Sequence, residues 1–168
     1  MYRRLILVLI VSGFFLTTFL PASMARDFAV DNYKFAWTVA QVDAARIVFH
    51  KQKDRFGFVL SRSPHGGLQS LFLSPSDAKA IGKVLLQAEN YLQKQKKGSV
   101  MNLKDVVQVG DYKVLFTSRG GENFKATVER QKTWTASVVM EVKMAMEVGK
   151  ILSNAEEMAN YVNSRINL

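Results

Sequence analysis

Ile81-Gly82-Lys83-Val84-Leu85 returns 67 residues later as Val148-Gly149-Lys150-Ile151-Leu152. The same offset carries Val39-Ala40-Gln41-Val42 onto Val106-Val107-Gln108-Val109, and Arg46-Ile47-Val48-Phe49 onto Lys113-Val114-Leu115-Phe116. Ser70-Leu71-Phe72-Leu73 falls on Ser137-Val138-Val139-Met140, and Gln87-Ala88-Glu89 on Asn154-Ala155-Glu156. Phe56 and Arg62 match Phe124 and Arg130 at an offset of 68, so one insertion and one deletion cancel inside the unit. The matches span the whole unit and preserve polar as well as apolar type. A period this long means a small domain present twice, not a solenoid, which stacks three or more shorter units.

Each unit changes period once. In the first, Tyr33, Phe35 and Trp37 alternate with small or polar residues, which predicts a strand over Tyr33 to Val42. Ala45 to His50, Phe56 to Arg62 and Leu68 to Leu73 read as three more strands, with Lys51 to Arg55 and the Ser63-Pro64-His65-Gly66-Gly67 run as connections. Ser74-Pro75-Ser76-Asp77 then offers a hydroxyl cap, a proline at the first helical position and an acid near the positive end of the helix dipole. Ala78, Ile81, Leu85, Ala88 and Leu92 form the apolar stripe of the helix that follows, which fades into the polar run Gln93 to Gly98. The second unit repeats this order with strands near Leu103 to Val109, Tyr112 to Ser118, Phe124 to Arg130 and Thr133 to Val139. Its helix spans about Glu141 to Asn163, with Ala145, Val148, Leu152, Ala155, Ala159 and Val162 on one stripe.

The expected fold is therefore α+β, a tandem β-β-β-β-α duplication. Two antiparallel four-stranded sheets and two packed helices are related by a pseudo-twofold axis. A sheet with one helix covers only one of its faces, so the units should share a core through their helix stripes and inner sheet faces. The outer faces remain for function. Residues 26–98 form the first unit and 99–168 the second, together one compact domain.

The N-terminus specifies a compartment. Arg3 and Arg4 precede a 16-residue uncharged stretch from Leu5 to Leu20, and Ser23-Met24-Ala25 places small residues at the cleavage positions, the pattern of a secretory signal peptide over residues 1–25. The alternative is a retained anchor, for which the run is shorter than the roughly 20 apolar residues that span a bilayer. A periplasmic or secreted location is expected. Taking Arg3 and Arg4 out of the 23 basic side chains leaves 21 against 14 acidic ones, a net charge of +7. Such a surface favours polyanions without choosing among nucleic acid, anionic lipid and cell-wall polymer. There is no cysteine, so neither disulfides nor thiol chemistry contribute.

The pattern resembles the Whirly and positive-cofactor-four superfamily of single-stranded nucleic-acid binders, in which one β-β-β-β-α unit dimerises or is duplicated within a chain. The best local likeness is Gly67-Leu68-Gln69-Ser70-Leu71-Phe72-Leu73-Ser74-Pro75-Ser76-Asp77, a final strand running through a capped turn into the helix. Arg46-Ile47-Val48-Phe49 with its charged turn resembles the central strands. The resemblance is one of topology over most of the mature chain. It implies binding of single-stranded DNA or RNA and transfers no individual residue.

Alternation places Arg46, Val48 and His50 on one face of a strand, and Lys113, Leu115, Thr117 and Arg119 on the equivalent face of the second unit. Lys and Arg there would neutralise phosphates, and Trp37 or Trp134 would offer a stacking surface for unpaired bases. The competing reading is that a charged face is the ordinary solvated side of an antiparallel sheet and that the tryptophans pack. Lys94, Lys96, Lys97 and Lys104 make the connection between the units the most basic local patch. His50 and His65 have no cysteine or acidic cluster at ligand spacing, so neither a metal nor another cofactor is expected. Gly66-Gly67 and Gly120-Gly121 open strands, not helices, and so form no phosphate cradle, and no motif singles out a nucleophile. The chain reads as a non-enzymatic binding module for single-stranded nucleic acid or another polyanion, compatible with a homo-oligomer. The alternative is a periplasmic protein-interaction or structural module.

Overall fold

Alternating burial builds the two sheets, and a matching alternation of helical stripes fills the space between them. The computed structural model describes residues 34–63, 68–98, 102–131 and 137–166. The expected signal peptide, His65 and Trp134 lie outside the described residues. Strands β1 (Phe35–Val42), β2 (Ala45–Gln52), β3 (Arg55–Arg62) and β4 (Gln69–Leu73) make one antiparallel sheet in sequential order. Strands β5 (Asn102–Val109), β6 (Tyr112–Arg119), β7 (Glu122–Arg130) and β8 (Ser137–Met140) make the second in the same order. The first hairpin of each sheet closes with a left-handed residue at the same position, Asp43 in the first sheet and Gly110 in the second. Both types tolerate that conformation, Asp through its short polar side chain and Gly through its missing Cβ.

Both expected helices form, and each is broken once. Helix α1 (Pro75–Leu85) is followed by α2 (Ala88–Lys96), and α3 (Val142–Leu152) by α4 (Ala155–Arg165). The breaks, Leu86-Gln87 and Ser153-Asn154, stand 67 residues apart. At each the ladder tightens to an i→i+3 bond, Gln87 N to Val84 O at 3.0 Å and Asn154 N to Ile151 O at 3.2 Å, before regular helix resumes. The polar run after Gln93 is therefore helical through Lys96 and not yet a connection.

The Ser74 hydroxyl caps α1 by accepting from the Asp77 N–H at 3.1 Å, as the sequence suggests. Glu141 stands at the equivalent place before α3 without a side-chain cap bond.

The helices cross between the sheets. Helix α1 lies against α3, α2 packs on β6 and β7 of the second sheet, and α4 packs on β3 of the first. Tyr91 of α2 stacks on Phe116 of β6 with ring centroids 4.2 Å apart, and Lys51 of β2 donates to the Ile166 carbonyl at the end of α4 at 3.0 Å. Each sheet is thus covered partly by the other unit's helix. One continuous core results, with Phe49, Phe58, Leu60, Leu85, Phe116 and Leu152 fully buried within it.

Strands β4 and β8 also come together, each as the edge of its own sheet. Two side chains seal the junction. Arg62 donates to the Val139 carbonyl at 2.7 Å, and Tyr112 donates to the Phe72 carbonyl at 2.6 Å. Phe72 and Val139 are equivalent positions of the two units, so each acceptor on a short edge strand is satisfied from the opposite unit. Burial raises the Tyr112 pKa, which holds the phenol in the protonated form that this bond requires.

The two outer strands are guarded unequally. On β5, Asp105 pairs with Phe116 and so shares the core side of the sheet, an inward charge of the kind that discourages edge-to-edge pairing. Lys94 and Gln95 of α2 reach it at 2.5 and 2.9 Å. Gln95, 2% exposed, also donates to the Phe116 carbonyl at 3.0 Å.

These bonds, the Lys94 one foremost and then the Gln95 one, lower the Asp105 pKa below its ordinary value of 3.8. A carboxylate depressed in the folded state contributes stability that is present above the unfolded value and is lost as pH falls through the folded one. Asp105→Asn should therefore cost on the order of 1 kcal/mol at neutral pH. It should also flatten the stability profile below about pH 4, measured by urea melts across that range.

Candidate nucleic-acid interface

The ladder registers assign the paired strand residues to faces. On the first sheet Gln41, Arg46, Ser61 and Ser70 form one outward row, and Thr38, Val48, Val59 and Phe72 the next. His50 follows, flanked by Ala36 and Gly57, and then Gln52 opposite Arg55. No strand residue on this face is a carboxylate; the adjoining acids, Asp43 and Asp54, sit in the β1–β2 and β2–β3 turns. Arg46 is exposed and donates to the Thr38 hydroxyl at 2.6 Å.

A cleft of about 250 Å³ opens on this face, lined by Lys34, His50, Lys51, Gln52, Arg55, Val59 and Phe72. Its aromatic wall exists because β3 carries a glycine. A Cβ on Gly57 would overlap the Leu73 carbonyl oxygen and come within 2.7 Å of the Phe72 ring, so the missing side chain makes room for Phe72 to lie over the strand. Phe72 is nonetheless 44% exposed. The cleft thus combines an accessible ring, an apolar floor at Val59 and a rim of cations.

The second sheet presents the same rows with different chemistry. Gln108, Lys113, Glu129 and Ser137 form the first row, Val106, Leu115, Thr127 and Val139 the second, and Lys104, Thr117 and Lys125 the third. Lys113 is paired to Glu129 at 2.5 Å and Lys125 to Glu141 at 3.3 Å. Arg119 is exposed at the strand end, opposite Glu122 in the register. Both glutamines at the head of the first rows serve their own hairpins, Gln41 reaching Asp43 O at 3.5 Å and Gln108 reaching Gly110 O at 2.7 Å.

The sequence-derived site residues are therefore dispersed. Arg46 and His50 share the outer face of the first sheet, and Lys113 and Arg119 that of the second. Trp37 joins neither set. It pairs with buried Phe49 and belongs to the helix side of edge strand β1, where it is 42% exposed because no further strand covers it. The irregularity between Thr38 and Ala40 shifts β1 by one residue without moving Trp37 to the outer side.

Lys94, expected in a basic connection, is on α2 and bound to Asp105. Phe72, Arg55 and Lys34 were not singled out from sequence. The signal for Phe72 was present, since Leu71-Phe72-Leu73 cannot point three apolar side chains to one face of a strand.

A wider groove of about 620 Å³ runs past Leu92, Lys96, Phe124, Lys125 and Lys143, with Asp43 and Glu141 mixed into its lining. Among the described residues no group of three or more His, Cys, Asp or Glu is placed to hold a metal ion. No described helix is long and apolar enough to cross a membrane. No family model, curated protein or solved structure matches the chain.

Proposed function

We propose that the protein is an exported basic module that binds single-stranded nucleic acid on the outer face of its sheets. The observation that carries this reading is the cleft on the first sheet, where Phe72 offers an exposed ring beside Lys34, His50 and Arg55 on a face whose strands contribute no carboxylate. A ring stacks on the face of any base, and a duplex hides its base faces, so exposed aromatics among cations favour unpaired strands over paired ones. The net charge of +7 that remains without Arg3 and Arg4, 21 basic against 14 acidic side chains, supports the same class of ligand.

The purified protein should bind a fluorescein-labelled oligothymidylate in preference to a duplex of the same length. The logarithm of affinity should fall with the logarithm of salt concentration by about 0.7 per phosphate neutralised. A residual affinity at high salt should remain from stacking. Anisotropy titrations at several salt concentrations, with heparin as the polyanion control, read both. Equal binding to heparin, duplex and single strand would reduce the interaction to charge alone.

Export with removal of residues 1–25 accompanies this reading and is motivated by Arg3, Arg4 and the apolar stretch after them. The intact mass of protein recovered from a periplasmic extract should correspond to a chain starting at Arg26. A mass that includes Met1 contradicts cleavage.

One observation favours a protein partner instead. β1 is an eight-residue edge strand, FAWTVAQV, without a charged side chain, and Trp37 stands exposed on it. Such an edge accepts an added strand from another polypeptide. Failure to bind any single strand at low salt would make this the better reading.

A further inference from the structure

The two outer faces are equivalent in topology and opposite in how they handle charge. Position by position, His50 corresponds to Thr117, Gly57 to Lys125, Val59 to Thr127 and Phe72 to Val139. The replacements remove the ring, the glycine that seats it and the histidine beside it. They also add carboxylates. Ser61, outward beside Arg46, corresponds to Glu129, which holds Lys113 at 2.5 Å, while Lys125 is held by Glu141. On the first sheet Arg46 donates to a neutral hydroxyl and keeps its full charge for a ligand.

We infer that the outer faces have separated in role. The first sheet alone takes the strand, seating one unstacked base against Phe72 and Val59 with the adjoining phosphates on Lys34, Arg55 and Arg46, while on the second sheet Glu129 and Glu141 hold Lys113 and Lys125. This rests on the single-stranded nucleic-acid reading and adds to it which half of the molecule is the ligand face. The size of the cleft fits the assignment. At about 250 Å³ it lies just below the roughly 300–1,000 Å³ of clefts that hold drug-sized ligands, leaving room for one ring system and not for an extended ligand. A strand bound there would continue along the row through Val48 toward Arg46, which lies on the same face two row positions from His50.

The test is a panel of variants of the full chain titrated with a labelled oligothymidylate at about 0.15 M salt, where the Debye length of about 8 Å keeps the two faces electrostatically separate. Phe72→Ala should weaken binding about five- to 150-fold, the range for removal of one stacking platform. Phe72→Trp should retain it, which separates loss of stacking from loss of fold. Arg55→Gln should weaken binding and lessen its salt dependence, whereas Lys113→Gln and Arg119→Gln should change affinity by less than about twofold.

Equal losses from the two faces, or a Phe72→Ala protein that binds as well as the parent, would overturn the division of roles while leaving single-strand binding intact. A parent protein that binds no single strand overturns both.

Discussion

Leu85→Ala and Leu152→Ala should each destabilise the protein by about 2–5 kcal/mol, and by similar amounts. Both leucines are fully buried, they stand 67 residues apart, and each is the last residue of its helix before the break. Both belong to the one close-packed core that the two units share, so little collapse is available to reduce the cost. Equilibrium unfolding in urea or guanidinium reads the two values. A large cost at one site and almost none at the other would mean that the units do not contribute equivalently to one core.

Gly82→Ala should cost about 1–3 kcal/mol even though alanine is the better helix former by about 0.8–1.0 kcal/mol. A Cβ on Gly82 would overlap the backbone nitrogen of Ser153 and lie 2.7 Å from the Leu152 carbonyl carbon, so backbone, not a movable side chain, blocks it. The reciprocal residue, Gly149, would place its Cβ 3.0 Å from the Gly82 oxygen and the Leu86 nitrogen. That is tight without overlap. Gly149→Ala should therefore be the milder of the two, with the gain in helix propensity offsetting much of its strain. The crossing of α1 and α3 rests on this pair of glycines, and thermal melts of the two variants should rank them in that order. A Gly82→Ala protein more stable than the parent would mean that the helices can move apart freely.

These two effects show how far the sequence carries the fold. The strands were legible because burial alternates along β2 and β7, and along β3 and β6 apart from the added burial of Gly57 and Leu115. The helix stripes were legible because all of Ala78, Ile81, Leu85 and Ala88 are buried at 0% exposure. The glycine pair was visible as one residue type at the same place in both units, but its meaning needed the helix crossing.

The breaks after Leu85 and Leu152 left no trace in the pattern, because the apolar spacing runs through them into Ala88 and Ala155 without a proline or glycine. Nor did the sequence disclose that α2 and α4 cover the opposite unit's sheet. A hydrophobic stripe states which side of a helix is buried and not what buries it. Gln95 was placed in a polar run for the same reason. Its burial comes from Asp105 and the Phe116 carbonyl, two partners distant in sequence.

The candidate site was legible in part. Arg46 and His50 were placed on the outer face by strand alternation alone. Phe72 was passed over as part of an apolar strand, and Arg55 was placed in a hairpin connection that the structure narrows to Lys53 and Asp54. Trp37 was drawn to the basic face by its chemistry, whereas its pairing with Phe49 commits it to the other side. Lys113 was found, but its partner Glu129 lies on a neighbouring strand, and a single-strand pattern does not show which charges are already neutralised.

The most direct measurement of the central claim is a nitrogen-15 amide spectrum of the protein titrated with a short single-stranded oligonucleotide. The shifted resonances should cluster on β2, β3 and β4 around Arg46, His50, Arg55 and Phe72, and at Lys34 just before β1, with the second sheet unperturbed. Shifts confined to β1, shifts spread evenly over both sheets, or no shifts at low salt would contradict it.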